Sequence, residues 1–258
     1  LYFNSKRFNA NNIDLNRNFP DPVAGDHPDG QEWQPETVAL MNFMKQQKIT
    51  LTANLHDGAE LVNYPWDCRY ERHPDDRWYW QISRQYADTV HKYSTTGFFT
   101  ELNNGITNGY DWYQVYGGIQ DYVNYFLHAR EVTIELSEIK SPPPEQLSDL
   151  WNYHKRSLIE YIQQIFTGIH GFVSDAVTGE PVEATIEIPG HDHDNSQVFS
   201  SPGTGEFYRL TNLDSCTLMI SAPGYITQFL KIDFSGKELI NPEIFLMPSV
   251  NEFALYPN

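Results

Sequence analysis

The chain has 258 residues, enough for two domains, with 34 acidic against 17 basic side chains and a formal net charge of −17. This charge argues against nucleic acid as a partner, because phosphates would be repelled, and it favours a cationic substrate. No apolar run is long enough to cross a bilayer, and the two cysteines, Cys68 and Cys216, fall in different predicted domains, so we expect separate thiols.

An Asn-rich run near the start of the chain predicts a turn that binds a carboxylate. It spans residues 12–21 and reads NIDLNRNFPD. Arg17 offers a planar fork of donors that matches a carboxylate, and Asn16 can add an amide donor to the same oxygens. The same residues also fit a capped turn in which Arg17 pairs with Asp14, so the run alone leaves both interpretations open.

The next three segments predict a helix, a strand and a second helix. Residues 36–47 place four apolar side chains close to helical spacing after Pro35. Residues 49–55 alternate β-branched and small side chains, which indicates a central strand. His56 follows at the carboxyl end of this strand, which is where the functional sites of α/β sheets usually lie. Residues 75–93 predict the second helix.

The remainder of this first domain predicts a loop, a strand and a closing helix. Residues 103–118 form a long loop rich in Gly, Asn and Tyr, and loops of that length are usually functional. Residues 131–136 predict a strand in which Glu135 interrupts an apolar pattern. A buried glutamate there needs a partner or a purpose, whereas a glutamate on an edge strand would face water. After three prolines, residues 145–166 resume helical periodicity.

From residue 168 onward, short β-rich stretches separated by Gly, Pro, Asn and Asp predict a small antiparallel sandwich. The stretches are residues 171–174, 184–188, 206–210, 217–222 and 229–234. His170, His191 and His193 in this part indicate polar positions rather than a second metal site. The chain therefore predicts an α/β domain over residues 1–167 and an all-β domain over residues 168–258.

Four ordered segments carry a resemblance to a known family. They are residues 7–20, 55–67, 109–121 and 132–137, reading RFNANNIDLNRNFP, LHDGAELVNYPWD, GYDWYQVYGGIQD and VTIELS. In this order they resemble the zinc metallocarboxypeptidases, specifically the regulatory subfamily that includes carboxypeptidases D, E, M, N and Z. A weaker resemblance to that subfamily's transthyretin-like domain begins near Gly171. The resemblance implies a mixed sheet flanked by helices, followed by a transthyretin-like sandwich.

The resemblance implies catalytic roles for three residues. His56 is a zinc ligand, Glu135 is the general base, and Arg7 steadies the oxyanion. A catalytic zinc needs three protein ligands, and the family takes the other two from an upstream His-x-x-Glu motif that is not found here. We therefore expect one zinc per chain with two further ligands upstream of a chain that lacks its first part. Residues 1–5 are set aside from the functional argument.

Five further residues have substrate-binding roles by the same resemblance. Asn16 and Arg17 hold the free carboxylate of the substrate, and Tyr113 folds over it. Asp67 and Gln120 form a side-chain pocket that selects a C-terminal Lys or Arg, since a buried acidic floor pairs poorly with an apolar guest.

These residues predict a zinc-dependent exopeptidase that removes C-terminal Lys or Arg from peptides or proteins. Two alternatives stay open. One is a peptide-binding module that keeps the carboxylate clamp without a working metal site, and the other is an amidase acting on peptidoglycan stem peptides. The resemblance implies a secreted or periplasmic protein, and the oligomeric state is not indicated.

Overall fold

The chain forms two compact units in a computed structural model that describes residues 7–236 and 238–249. The first unit extends to Gln164 and includes Asp194–Ser196, and the second comprises Ile165–His193 and continues from Gln197. The predicted domain boundary after residue 167 stays a prediction. Residues 1–5, set aside above, lie outside the described part of the chain.

The first unit is a mixed α/β fold around a four-stranded sheet, which is the predicted fold class. Its strands are β1 (Leu51–His56), β2 (Ala59–Tyr64), β3 (Ile106–Asn108) and β4 (Arg130–Ser137). Its helices are α1 (Pro35–Gln47), α2 (Asp76–Tyr93), α3 (Glu101–Gly105), α4 (Gly109–Trp112), α5 (Ile119–Phe126) and α6 (Pro144–Ile162). Short 3-10 turns occupy Leu15–Arg17 and Gln163–Phe166.

The strand order β1-β4-β2-β3 places β4 inside the sheet. β4 runs parallel to β1 and antiparallel to β2, and β2 runs parallel to β3. Within the described residues β1 has a single neighbour, so the prediction of a central strand over residues 49–55 is wrong for this part of the chain. Glu135 stands on an inner strand and not on an edge.

The two faces of β4 differ in chemistry because successive side chains of a strand point to opposite sides. Val132 and Ile134 are fully buried on one side. Glu131, Thr133 and Glu135 share the other side and are buried too. The sheet therefore carries a row of polar side chains on the face where the cleft described below is located.

The loop predicted over residues 103–118 contains more structure than its composition indicates. β3 and α4 lie within it, whereas Asn103 and Asn104 have non-helical backbone angles and residues 113–118 are irregular up to the start of α5. β3 pairs with β2 through Ile106 opposite Val62. A three-residue strand is too short to show periodicity, which is why the sequence pattern misses it.

The second unit consists of β-strands in two sheets. They are β5 (Gly168–Asp175), β6 (Thr185–Glu187), β7 (Val198–Phe199), β8 (Glu206–Arg209), β9 (Ser215–Ser221), β10 (Gln228–Asp233), β11 (Leu239–Ile240) and β12 (Glu243–Leu246). One sheet, β10-β9-β6-β7, is antiparallel as predicted. In the other, β5 pairs antiparallel with β8 but parallel with β11 and β12, so a purely antiparallel sandwich is wrong.

The two sheets of this unit share one apolar core. Its fully buried members include Ile169, Val173, Ile186, Leu218 and Ile220. Both cysteines of the chain are free thiols, as predicted. None of the described helices combines the length and the apolar character needed to span a membrane.

We expect Arg130→Met to destabilise the first unit by about 3–5 kcal/mol, because it leaves the buried Asp75 carboxylate without its guanidinium. Arg130 Nη2 lies 2.8 Å from Asp75 Oδ2, and the two side chains are 2% and 1% exposed. Arg72 forms a matched surface pair with Asp111 at 2.6 Å, with exposures of 38% and 50%. Arg72→Met should therefore cost no more than about 1 kcal/mol. Urea denaturation measures both, and equal losses would contradict the prediction.

Candidate active site

A cleft in the first unit gathers seven of the eight predicted site residues. The seven that line it are Arg7, Asn16, Arg17, His56, Asp67, Tyr113 and Glu135. Gln120, the eighth, stands behind Asp67, and its Nε2 donates to Asp67 Oδ1 at 2.9 Å. Residues from all four segments that carry the family resemblance therefore meet at one place.

His56 and Glu135 stand side by side on two neighbouring strands. β1 and β4 run parallel, and the Cα atoms of His56 and Glu135 are partners in the register. Partnered residues point to the same face of a sheet, and both side chains line the cleft. Burial, with Arg7 nearby, lowers the pKa of His56, which favours the neutral ring that binds metals.

The Glu135 carboxylate is placed to accept a proton. The residue is 7% exposed, and among the described residues its Oε2 has no hydrogen-bond partner. Burial raises the pKa of Glu135 to about 7; the Asp57 carboxylate adds to the shift, and Lys140 and Arg7 oppose it. A carboxyl group with a pKa near neutrality can take up a proton and release it again at working pH.

The 3-10 turn at Leu15–Arg17 presents donors to the cleft. Asn16 Oδ1 accepts the Ile119 N–H at 2.9 Å, so its amide NH₂ points away from that bond. Arg17 Nη1 donates to the backbone oxygen of Asn16 at 2.6 Å, and no described carboxylate pairs with its guanidinium. The turn therefore leaves an amide and a guanidinium available for an anionic guest.

Arg7, and not Arg17, takes the acidic partner in this turn. Its Nε lies 2.8 Å from Asp14 Oδ2, and the Arg7 side chain is 43% exposed. The alternative in which Arg17 pairs with Asp14 is therefore wrong. The ion pair fixes the Arg7 side chain through Nε at the rim of the cleft.

Asp67 forms the acidic floor of the cleft. It is 6% exposed, and its Oδ1 accepts the amide groups of Asn63 and Gln120, each at 2.9 Å. Burial, together with the Asp121 charge, raises the pKa of Asp67 well above its usual value. Gly109 packs directly against this carboxylate, since a Cβ there would lie 1.7 Å from Asp67 Oδ1.

Tyr113 stands at the open side of the cleft. It is 49% exposed, and its ring makes an edge contact with Trp112 at 4.7 Å between centroids. Its backbone N–H donates to the carbonyl oxygen of Gly109, the first residue of α4, and so caps the end of that helix. The predicted closing movement over a substrate stays a prediction.

Asn63 and Lys140 are among the cleft residues that were not singled out from the sequence. Asn63 holds Asp67, and Lys140 lies near Glu135. A signal for Asn63 was present, because this polar residue follows the apolar pair Leu61 and Val62 in the buried part of β2 and shares a face with Leu61. Lys140 follows β4 in an irregular segment, where no local pattern reveals that its side chain turns back to the cleft.

A model of the zinc carboxypeptidase family (Peptidase M14) matches residues 2–157. The chain belongs to this zinc carboxypeptidase family. The matched region ends before the second unit, so the transthyretin-like character of that sandwich stays a prediction.

Curated relatives of the chain include carboxypeptidase D of Anas platyrhynchos, carboxypeptidase M of Mus musculus and the carboxypeptidase N catalytic chain of Homo sapiens, at 36%, 35% and 33% identity. The alignments cover 91%, 92% and 85% of this chain, but 18%, 55% and 53% of those relatives. The chain thus spans about half of two relatives and less than a fifth of the third.

Family membership implies zinc as the cofactor. Catalytic zinc takes three protein ligands and keeps a fourth position open. Among the described residues that line the cleft, His56 is the one histidine. Its neighbour Asp57 already accepts the Ser141 N–H through Oδ2, at 2.7 Å. His56 fits as one zinc ligand, and the described residues alone do not complete the set.

A second group of possible metal-ligand atoms lies outside the cleft lining and holds loops through hydrogen bonds to their backbone. Asp21, Cys68 and Asp121 are buried with ligand atoms within 4.8 Å of one another. Asp121 accepts the backbone N–H groups of Asp67 and Cys68, and Asp21 accepts that of Gly117 at 2.9 Å. Because backbone donors already occupy both carboxylates, we assign them to holding the loops of the cleft.

Proposed function

We propose that this zinc carboxypeptidase hydrolyses the C-terminal peptide bond of peptides and prefers a terminal Lys or Arg. The observation that carries the proposal is the meeting, in one cleft, of a guanidinium at Arg17 that pairs with no described carboxylate, an acidic floor at Asp67 and a buried carboxylate at Glu135. The first binds a terminal carboxylate, the second a basic side chain, and the third moves a proton.

The chemistry that zinc supplies when bound is polarisation of the scissile carbonyl and activation of a water molecule. Glu135 takes the proton of the attacking water at Oε2 and returns it to the departing amine. Arg7 donates to the oxygen of the scissile carbonyl as negative charge develops there. Asn16 and Arg17 bind the terminal carboxylate, which fixes the bond to be cut as the last one of the chain.

The pocket floor supports the preference for basic residues. Two amides, from Asn63 and Gln120, donate to one oxygen of Asp67 and fix the carboxylate. An apolar guest would bury this charge without a partner, whereas a guanidinium or ammonium would pair with it. A location outside the cytoplasm stays a prediction.

Blocking the substrate carboxylate as an amide should lower kcat/KM at least about a hundredfold, because Arg17 then loses its charged partner. Benzoyl-Gly-Arg and its C-terminal amide are the substrates to compare on the zinc-loaded protein. Arg17→Met should slow cleavage of the free acid and barely change that of the amide. Equal rates on the acid and the amide would contradict exopeptidase action.

The preference for terminal Arg over Leu should weaken as the pH falls, starting well above the usual aspartate pKa of 3.8. Burial and the Asp121 charge raise the pKa of Asp67, and pairing with a guanidinium requires the ionised carboxylate. Protonation therefore removes the pairing at a higher pH than for an exposed aspartate. The ratio of kcat/KM for benzoyl-Gly-Arg and benzoyl-Gly-Leu measures this, because titration of Glu135 affects both substrates alike.

A second function is favoured by one observation. The described part of the cleft offers one zinc ligand, His56, beside Asn16 and Arg17, the residues of the proposed carboxylate clamp. A protein of this kind would bind peptide C-termini without cleaving them. Metal analysis and calorimetry on the same sample separate the two functions, since binding of benzoyl-Gly-Arg without zinc and without turnover would favour the binding module.

A further inference from the structure

Asp121 lies beside the acidic pocket but does not line the cleft. It belongs to the first turn of α5 and is 0% exposed. Its carboxylate accepts the backbone N–H of Asp67 at 3.1 Å and that of Cys68 at 2.8 Å, and the Cys68 thiol also donates to it. These bonds direct Asp121 toward the segment that carries Asp67 and not toward a substrate.

The start of α5 holds Asp67 at two points. Gln120 donates its side-chain amide to Asp67 Oδ1, and the next residue, Asp121, binds the Asp67 backbone. The Asp67 carbonyl oxygen accepts the Val115 N–H at 3.1 Å, and Asn63 holds the side chain from β2. Among these described contacts, Asp121 is the only charged group that anchors the Asp67 backbone.

We propose that Asp121 is a positioning residue that holds Asp67 against the cation of the substrate and so sets the preference for basic C-terminal residues. The inference rests on the proposed function, because it concerns how the same pocket selects its guest.

The charge of Asp121 adds to this selection. The charged groups that act on Asp67 come from three elements: Asp121 from α5, Arg17 from the 3-10 turn and Glu131 from β4. Asp121 and Glu131 oppose ionisation of Asp67, and Arg17 favours it. A cationic guest relieves the repulsion between buried carboxylates, and an apolar guest does not. Asp67 and Asp121 therefore both favour a basic side chain on the substrate.

The test is Asp121→Asn, measured by binding in a Glu135→Gln background so that hydrolysis does not interfere. Asparagine has nearly the shape of aspartate but carries no charge. Its NH₂ group would face a backbone N–H and cannot accept a hydrogen bond from it. Calorimetry gives Kd for benzoyl-Gly-Arg and benzoyl-Gly-Leu on the zinc-loaded protein. We expect the Arg-to-Leu affinity ratio to fall about tenfold, with the Kd of the Leu peptide nearly unchanged. The pH at which the ratio declines should also move downward, because the neighbouring negative charge is gone.

Two controls separate positioning from a loss of folding. In an Asp67→Asn background, Asp121→Asn should leave the affinity ratio unchanged, since the group it positions has lost its charge. Asp175 offers a matched buried carboxylate in the second unit, where its Oδ1 accepts the N–H groups of Val177 and Thr178 at 2.7 and 2.8 Å. Asp175→Asn should leave the ratio unchanged. If Asp121→Asn does not fold, Asp121→Ser, which keeps an acceptor oxygen, replaces it.

The possible outcomes of this experiment distinguish failure of the inference from failure of the proposed function. An Arg-to-Leu ratio that falls only while Asp67 is intact supports the inference. An unchanged ratio, or an equal loss of affinity for both peptides, overturns it while the proposed function stands. A parent protein with no preference for the Arg peptide overturns the proposed function and this inference with it.

Discussion

Glu135→Gln is expected to lower kcat by about a hundredfold to ten-thousandfold while the Kd for substrate peptides changes little. Glutamine has nearly the same shape, so the packing around β4 is kept. It cannot accept a proton, however, and in the described structure Glu135 Oε2 is a buried oxygen without another partner. Steady-state kinetics on benzoyl-Gly-Arg gives kcat, and calorimetry gives Kd.

Glu131 provides the matched control on the same face of β4. It too is buried, and burial raises its pKa to about 7. Its carboxylate is already bound by the Thr52 hydroxyl and by Asn54 Nδ2, at 2.8 Å for the amide. Glu131→Gln should therefore retain kcat within about tenfold, with a lower melting temperature as its main effect. A Glu135→Gln variant with more than a tenth of the parent kcat would rule out Glu135 as the base.

Three helices of the first unit, α1, α2 and α6, could be predicted from sequence because their signals are local, whereas α3, α4 and α5 were not predicted. α1 and α6 begin at prolines, and the apolar spacing of α2 repeats over five turns. The prediction over residues 145–166 runs on into the 3-10 turn at Gln163–Phe166, because the apolar spacing continues there although the α-helix ends at Ile162.

Strand neighbours could not be predicted in the same way. The alternating pattern of β1 shows that it has two different faces, but not whether a second strand lies alongside. The parallel pairing of β5 with β12 joins segments about 70 residues apart, and such pairings depend on long-range contacts that leave no local trace.

The candidate site likewise has features that the sequence could predict and features that depend on long-range contacts. The residue types of Asn16, Arg17 and Asp67 indicate a carboxylate clamp and an acidic pocket, and the family resemblance supplied their register. The pairing of Arg7 with Asp14 and the anchoring by Asp121 follow from tertiary contacts between separate loops. Sequence chemistry thus predicts what each group can bind, and only the fold decides which group binds which.

Asp67→Asn is expected to lower kcat/KM for peptides ending in Arg by about a hundredfold to a thousandfold, since the guanidinium would then be buried without a counter-charge. Peptides ending in Leu should change by less than about tenfold, because they never paired with the carboxylate. Kinetics on benzoyl-Gly-Arg and benzoyl-Gly-Leu at one pH gives both values. Asp111→Asn, which changes an aspartate that is half exposed and pairs with Arg72, is the control and should leave the ratio unchanged.

The same substitution separates charge from shape in the pocket. An asparagine at position 67 would turn either its oxygen or its NH₂ toward the two amides of Asn63 and Gln120, which now donate to one oxygen. The oxygen can keep those bonds, so the pocket should retain its form while its charge is lost. A fall confined to the Arg peptide would then be electrostatic in origin. Equal falls for Arg and Leu peptides would place Asp67 in the framework of the cleft and leave the preference for basic residues without its proposed cause.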